Sequence, residues 1–156
     1  NQIWLTTAEE KPDTPENIER RLKANTGNQP LNLAGEVTYL VAWCGDAPVG
    51  VGVVRWTGRG GSPYPELSNL HVPPPLQSQG IGTAIVHFAE DVARSRGRAG
   101  LAIGVDEDNV RAAALYERLG YVDTGRRWTG SYTWYDESGV EHAETEHVRV
   151  LTLPLD

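Results

Sequence analysis

The stretch Leu70-His71-Val72-Pro73-Pro74-Pro75-Leu76-Gln77-Ser78-Gln79-Gly80-Ile81-Gly82-Thr83 decides how this chain folds. A strand-like run ends in prolines, passes through a Gln-x-x-Gly-x-Gly turn and opens directly into an amphipathic helix. This arrangement points several backbone N–H groups and the positive end of a helix dipole at one place. The junction therefore predicts a pyrophosphate site, and with it a nucleotide-like cofactor.

Composition limits what else the chain can do. Its 156 residues predict one domain over residues 1–156, and the net charge of −7 argues against nucleic-acid binding. No apolar run is long enough to span a membrane, and the first residues lack a signal-peptide pattern. The single cysteine, Cys44, fits a reducing compartment. The expected location is therefore cytoplasmic, without a membrane or nucleic-acid partner.

The pattern of apolar residues predicts the element order βα-βββ-α-β-α-ββ. Helices are expected from Thr14 onward, over 80–96 and over 109–119, with Gly97 and Gly120 as stop signals for the last two. Loops rich in Gly, Pro or Asn are expected at 25–35 and 58–63. Strands are expected at 2–6, 36–44, 47–57, 65–72, 101–105, 121–134 and 142–153.

A second motif follows the first. It runs Asn109-Val110-Arg111-Ala112-Ala113-Ala114-Leu115-Tyr116-Glu117-Arg118-Leu119-Gly120-Tyr121. The two motifs, in this order and separated by one helix and one strand, resemble the signatures of the GCN5-related N-acetyltransferase (GNAT) superfamily, and the resemblance covers nearly the whole chain. It implies an α/β (α+β) fold in which helices flank a mixed, mostly antiparallel central sheet of six to seven strands, with strands 4 and 5 splayed apart.

The resemblance implies acetyl-CoA as cosubstrate and no metal. Its pantetheine arm would lie along the strand that ends at Val72, and its pyrophosphate on the amides that follow. The implied cofactor-binding residues are Leu70, His71, Val72, Gln77, Ser78, Gln79, Gly80, Ile81, Gly82, Thr83 and Asn109. The glycines let the backbone approach phosphate oxygens closely, although they could also merely shape a tight junction. Because the turn lacks a cation, a basic residue such as Arg111 is a candidate to compensate.

Two residues are the candidates for catalysis. By resemblance Tyr116 lies near the cofactor sulfur, where its phenol can protonate the departing thiolate. The alternative for Tyr116 is a packed aromatic on an amphipathic helix. Glu66, eleven positions before Gln77, matches a glutamate that serves some relatives as general base. The alternatives for Glu66 are a solvated strand-end glutamate or an anchor for the substrate amine.

The function expected from the resemblance is acetyl transfer to a primary amine by direct attack, with a small amine or amino acid as acceptor. A protein N-terminal or lysine acetyltransferase and a non-catalytic acyl-CoA-binding module are the alternatives, and a homodimer is left open. The aromatic residues Trp128, Tyr132, Trp134 and Tyr135 are candidates for an acceptor wall that suits a cation, or for a dimer surface. Core and hairpin packing is the competing explanation for them.

Overall fold

The structure is a computed structural model that describes residues 2–10, 13–22, 35–58 and 62–155. In these segments seven strands form one sheet in the order β1-β2-β3-β4-β5-β7-β6. Of the neighbouring pairs in this sheet, β4 and β5 run parallel and the others run antiparallel. The strands are β1 (Ile3–Thr7), β2 (Val37–Cys44), β3 (Ala47–Arg55), β4 (Glu66–His71), β5 (Gly100–Asp106), β6 (Val122–Tyr135) and β7 (Glu141–Pro154).

Helices of the described segments cover both faces of this sheet. They are α1 (Pro15–Leu22), α2 (Ile81–Ser95) and α3 (Val110–Arg118), and short 3-10 turns lie at Ala8–Glu10 and Pro74–Leu76. α1 buries Ile18 and Leu22 against one face, here called the α1 face. α2 and α3 bury their apolar residues against the other, the α2 face.

The expected fold is confirmed. The strands and helices predicted within the described residues occur in the predicted order, and the sheet is mixed and mostly antiparallel with β4 and β5 splayed. The hydroxyl of Thr14 accepts a hydrogen bond from the backbone N–H of Asn17 at 3.1 Å, as expected of a residue that caps α1. Of the two predicted loops, residues 25–34 and 59–61 lie outside the described residues.

Two glycines let α2 sit close to the sheet. A Cβ on Gly50 would lie 2.9 Å from Ile85 Cδ1 and 3.0 Å from Ile81 Cγ2, and a Cβ on Gly52 would lie 3.2 Å from Ile85 Cγ2. Ile81 and Ile85 are almost completely buried, so α2 packs directly on the β3 backbone. This packing fixes the height at which the first turn of α2 stands beside the end of β4.

A β-bulge reorients the end of β4. Ser68 pairs with Val53 and His71 pairs with Val51, so one extra residue lies in β4 between these pairs, and Asn69 there has a φ of +53°. After the bulge, Leu70 and Val72 pack against the core on the α2 face. The side chain of His71 consequently points to the α1 face, beside Val51.

The parallel contact between β4 and β5 is short. Only Glu66 with Ala102 and Leu67 with Ile103 are paired along these two described strands. Beyond Leu67 the strands diverge, since β4 continues along β3 while β5 continues along β7. A cleft therefore opens between them on the α2 face.

The β6–β7 hairpin extends beyond the rest of the sheet. Within the described residues, β5 pairs with β7 between Val148 and Pro154, whereas β6 and β7 continue to pair as far as Tyr135 and Glu141. Residues 129–146 thus form a two-stranded arm, called the arm below.

Candidate active site

The cleft has a volume of about 610 Å³ and two walls. One wall is the end of β4 with the turn that leads into α2, and the other is α3. Both sequence motifs therefore line the same space. The lining residues are Leu70, Val72, Leu76, Gln77, Ser78, Gly80, Ile81, Gly82, Thr83, Asn109, Arg111, Ala112, Ala114, Leu115, Tyr116 and Arg118.

The turn before α2 exposes backbone N–H groups. Gly80 precedes the helix with a φ of +83°, and no side chain caps the N–H groups of the first turn. Those groups have no partner inside the helix and carry its positive dipole end. A Cβ on Gly82 would meet only Leu115 Cδ2, at the ordinary contact distance of 4.0 Å, so the backbone at this position is not crowded. The chemistry of this cradle fits a diphosphate, which is one of the anionic groups of acetyl-CoA.

The two glutamines of the turn direct their side chains back to the loop. Gln77 Nε2 donates to the Val72 carbonyl at 2.9 Å, and Gln79 Nε2 lies 3.5 Å from the Pro75 carbonyl oxygen. These contacts leave the main chain as the principal source of donors at the turn. Gln79 and His71 do not line the cleft, whereas the other implied cofactor-binding residues do.

Asn109 begins the opposite wall. Its side-chain oxygen accepts a hydrogen bond from the backbone N–H of Ala112 at 3.1 Å, which caps α3. The side-chain amide N–H groups take no part in this cap. Asn109 therefore combines a structural role with a position on the cleft.

Tyr116 lies deeper along α3. Its side chain is 5% exposed, and burial raises its pKa to about 12. The structure records no hydrogen-bond partner for its hydroxyl among the described residues. Tyr116 thus presents a phenol that keeps its proton at neutral pH and that borders the cleft. It also packs in the core, so the two roles expected from the sequence are compatible.

A buried carboxylate that the sequence analysis did not single out connects the helices beside the cleft. Glu90, on α2, is 5% exposed and accepts a hydrogen bond from the Tyr121 hydroxyl at 2.7 Å. Burial and this bond raise the pKa of Tyr121. Because Tyr121 follows α3 directly, the contact holds α3 against α2. Glu90 lies between Val86 and Ala93 on α2, both of which are buried. In the sequence, this placement of a charge among apolar positions could have pointed to a buried carboxylate.

Glu66 lies on the other side of the sheet from the cleft lining. It is 1% exposed, so the alternative of a solvated strand-end glutamate is wrong. Glu66 pairs with Arg55 of β3 and Ala102 of β5. Leu67, the next residue, belongs to the core on the α2 face, so alternation directs Glu66 to the α1 face. The carboxylate therefore lies at the point where the strands begin to separate, but it does not line the cleft with Tyr116.

His71 shares the α1 face with Glu66. It pairs with Val51, which belongs to the core beneath α1. Burial lowers the pKa of the His71 side chain, so its neutral form predominates at neutral pH. The side chain of His71 therefore does not face the cleft.

The arm bears aromatic and acidic groups on the α1 face. Tyr132 pairs with Glu144, and Trp128 pairs with Val148 at the base of the arm. Burial raises the pKa of Tyr132, and the carboxylates of Glu144, Glu146 and Asp106 raise it further. This face of the arm is therefore electronegative.

The aromatic residues of the arm and of its base are not core residues. Tyr135 is 63% exposed, and neither Trp128 nor Tyr132 belongs to the buried core. Packing in the main core is therefore excluded for these three residues, whereas packing along the hairpin occurs, because the Trp128 ring fills the space that a Cβ on Gly130 would occupy. The side chain of Trp134 lies outside the described residues.

Other side chains that are able to react or to bind a metal lie outside the cleft lining. Cys44 packs partly buried against the core at the end of β2, as expected of a small core side chain. His142 contacts Asp136 at 3.0 Å, and His147 pairs with Thr129. The described residues contain no group of three or more His, Cys, Asp or Glu side chains placed to hold a metal ion.

No helix in the described segments has the length and apolarity to cross a membrane.

Comparison with protein families identifies the class. Residues 3–121 match the model of the acetyltransferase (GNAT) family. Because the match covers more than half of this chain, the chain belongs to that family. The resemblance and the enzyme class expected from the sequence, an acetyltransferase, are thereby confirmed at the level of the family.

Curated relatives match over a shorter segment. The chain is 41% identical over 56 residues to a mycothiol acetyltransferase of Beutenbergia cavernae, and 36% identical over 56 residues to an uncharacterized N-acetyltransferase of Methanocaldococcus jannaschii. Each match covers 36% of this chain, and they cover 19% and 25% of those proteins respectively. The chain thus spans a quarter or less of the curated relatives that it matches.

Solved structures match over the full length. A Bacillus subtilis acetyltransferase in complex with CoA superposes with a TM-score of 0.71 at 18% identity, over 99% of this chain and 100% of that one. The ribosomal-protein-S18-alanine N-acetyltransferase of Escherichia coli superposes with a TM-score of 0.68 at 17% identity, over 99% and 95%. At these identities the likeness shows the fold alone.

Proposed function

We propose that this protein transfers an acetyl group from acetyl-CoA to a primary amine, and that the acceptor is a small amine or amino acid. The single observation that carries the proposal is that both motifs line one cleft, with a glycine cradle on one wall and Tyr116 on the other. The fold it shares with a CoA-bound acetyltransferase supports the same cofactor.

In this proposal the acetyl thioester of the cofactor supplies an activated acyl group. The turn from Gln77 to Thr83 binds the diphosphate with backbone N–H groups. The exposed edge of β4 between Leu70 and Val72 offers main-chain groups to the pantetheine arm where β5 has diverged. Asn109 adds a side-chain amide from α3.

Tyr116 acts as general acid in this proposal. The thiolate that leaves the acetyl group needs a proton, and a phenol that borders the cleft and keeps its proton can donate it. No step requires a covalent acyl-enzyme. The single cysteine lies at the end of β2, outside the cleft lining, so direct attack by the amine is the proposed route.

Glu66 is the proposed general base on the α1 face. An amine must lose its proton before it attacks, and a carboxylate at the separation of β4 and β5 can accept that proton through water. The carboxylate and the phenol approach the separation from opposite faces of the sheet. This arrangement suits a reaction in which the acceptor enters from one face and the cofactor from the other.

The acceptor side favours a cationic substrate. Glu66 pairs with Ala102 of β5, and the electronegative face begins four residues farther along that strand, at Asp106. At the usual rise per residue, Ala102 and Asp106 are about 13 Å apart. Carboxylates beside aromatic rings stabilise ammonium groups. The net charge of −7 acts in the same direction.

The test is release of free thiol from acetyl-CoA across a panel of amines, with mass detection of the acetylated product. The panel contains amino acids, diamines, and peptides with a free N-terminus or an internal lysine. Turnover with a small amine supports the proposal, whereas turnover with peptides alone favours the protein acetyltransferase. CoA binding without thiol release for any amine would favour the non-catalytic acyl-CoA-binding module.

A homodimer remains part of this proposal. The arm is a two-stranded hairpin, which is marginally stable without further packing, so a second copy is one means of covering it. Sedimentation of the purified protein measures the oligomeric state directly. A purely monomeric species across the assay concentrations would remove the dimer from the proposal.

A further inference from the structure

The phosphate turn contains no cation of its own. No lysine or arginine occurs from Glu66 to Ala93, a segment that contains all of β4, the turn and most of α2. The dipole at a helix N-terminus is equivalent to about half an elementary charge. A diphosphate carries more negative charge than this, so the electrostatic complement must come from another element.

Arg111 lies opposite the turn, on the first turn of α3. Its Nη2 donates a hydrogen bond to the Ser78 hydroxyl at 2.5 Å, and both residues line the cleft. Ser78 has a φ of +65° and is exposed at the turn. The guanidinium thus already bridges the two walls of the cleft.

Arg111 also has unused binding capacity. A guanidinium carries five N–H donors in a planar fork that matches phosphate oxygens. The structure records no ion pair between Arg111 and any carboxylate of the described residues. Arg94, by contrast, is paired with Asp91 on the exposed side of α2.

We infer that Arg111 binds the diphosphate of the cofactor and replaces the cation that the turn lacks. This inference rests on the proposed function, since it requires a CoA-type cofactor in the cleft. Arg111 precedes Tyr116 by five residues, or about 7.5 Å along α3. One short helix therefore contacts the diphosphate near its beginning and presents the phenol to the thioester near its end.

Calorimetric titration with CoA and with dephospho-CoA, which keeps the diphosphate and lacks the ribose 3′-phosphate, tests this assignment. Arg111→Gln is expected to raise the Kd for both ligands by about 10- to 100-fold, the range of a lost charge-assisted hydrogen bond. The Kd is also expected to depend less steeply on salt. Arg111→Lys, which keeps the charge and loses the fork, is expected to fall between wild type and Arg111→Gln.

Arg94→Gln is the matched control, because it removes an exposed arginine that does not line the cleft. Its Kd is expected to equal that of wild type. If Arg111→Gln weakens CoA but not dephospho-CoA, the ribose phosphate is the partner and the assignment to the diphosphate is overturned. Wild-type binding by Arg111→Gln overturns the role of Arg111 alone. Failure of the wild-type chain to bind CoA overturns the proposed function as well.

Discussion

The two faces of the sheet near the point where β4 and β5 separate present different chemical groups. On the α2 face, the cleft offers backbone N–H groups, glycines and the guanidinium groups of Arg111 and Arg118, with Tyr116 as its buried phenol. On the α1 face lie buried Glu66 and, farther along, the carboxylates and aromatic rings of the arm. A face built mainly from backbone suits one constant ligand, whereas a face built from side chains suits a ligand particular to this chain.

The largest expected effect concerns the α2 face. Tyr116→Phe is expected to lower kcat by about 10²- to 10⁴-fold, the range of general acid catalysis, and to change the KM for acetyl-CoA little. The reason is that the substitution removes the phenolic proton and keeps the packing. Steady-state kinetics measure both constants. Tyr39→Phe, which removes a hydroxyl bonded to Glu19 beneath α1, is the control expected to keep kcat.

The pH dependence follows from the same residue. A general acid must be protonated, so activity is lost as the pH rises through its pKa. The pKa of Tyr116 is raised to about 12, and an ordinary tyrosine titrates near 10. We expect no loss of kcat from Tyr116 between about pH 9 and about pH 11. A fall in that interval that disappears in Tyr116→Phe would contradict the assigned environment.

The α1 face is tested next. Glu66→Gln is expected to lower kcat by about 10²-fold, the lower end of general base catalysis, and to change the shape of the pH–rate profile. A pH profile of kcat/KM checks this. Glu90→Gln replaces a second buried carboxylate, on the other face, and is expected to keep the shape of the profile. If Glu66→Gln keeps both the rate and the profile of wild type, water alone serves as base.

A smaller effect concerns the scaffold that places the cleft. Gly50→Ala is expected to lower the free energy of unfolding by about 1–3 kcal/mol, because its Cβ would lie 2.9 Å from Ile85 Cδ1. Ile85→Val removes that methyl group. The double variant is therefore expected to lose less stability than the sum of the single ones, as measured by denaturant unfolding. If the loss of unfolding free energy in the double variant equalled the sum of the losses in the single variants, the contact would not set the distance between α2 and the sheet.

The smallest expected effect concerns the arm. Tyr132→Ala is expected to raise the KM for a cationic acceptor by about 2- to 5-fold, the effect of losing an exposed cation–π contact. It is expected to change the free energy of unfolding by less than about 0.5 kcal/mol, since the residue lies outside the core. Tyr135→Ala, the control, alters the opposite face of the arm, where Tyr135 bonds Glu141. If both variants changed KM equally, the face of the arm that bears Tyr132 would have no specific role in acceptor binding.

Local sequence was sufficient where local rules operate. Thr14 begins α1 because its hydroxyl caps a free N–H, and Gly97 and Gly120 end α2 and α3 because they adopt positive φ. The alternation of apolar and polar residues predicted the strands, because it too is a pattern of residues close together in the chain. The bulge at Asn69 followed no local pattern of this kind, yet it decides that Leu70 and Val72 face the core while His71 does not.

The sequence by itself determined the order of elements, the glycine cradle before α2 and the family, because these depend on neighbours along the chain. Tertiary structure decided which residues meet. It brought Arg111 to Ser78, Glu90 to Tyr121, and Glu66 and Tyr116 to opposite sides of the same sheet. Such contacts join residues that are 31 and 33 positions apart, and no helical or strand period extends that far.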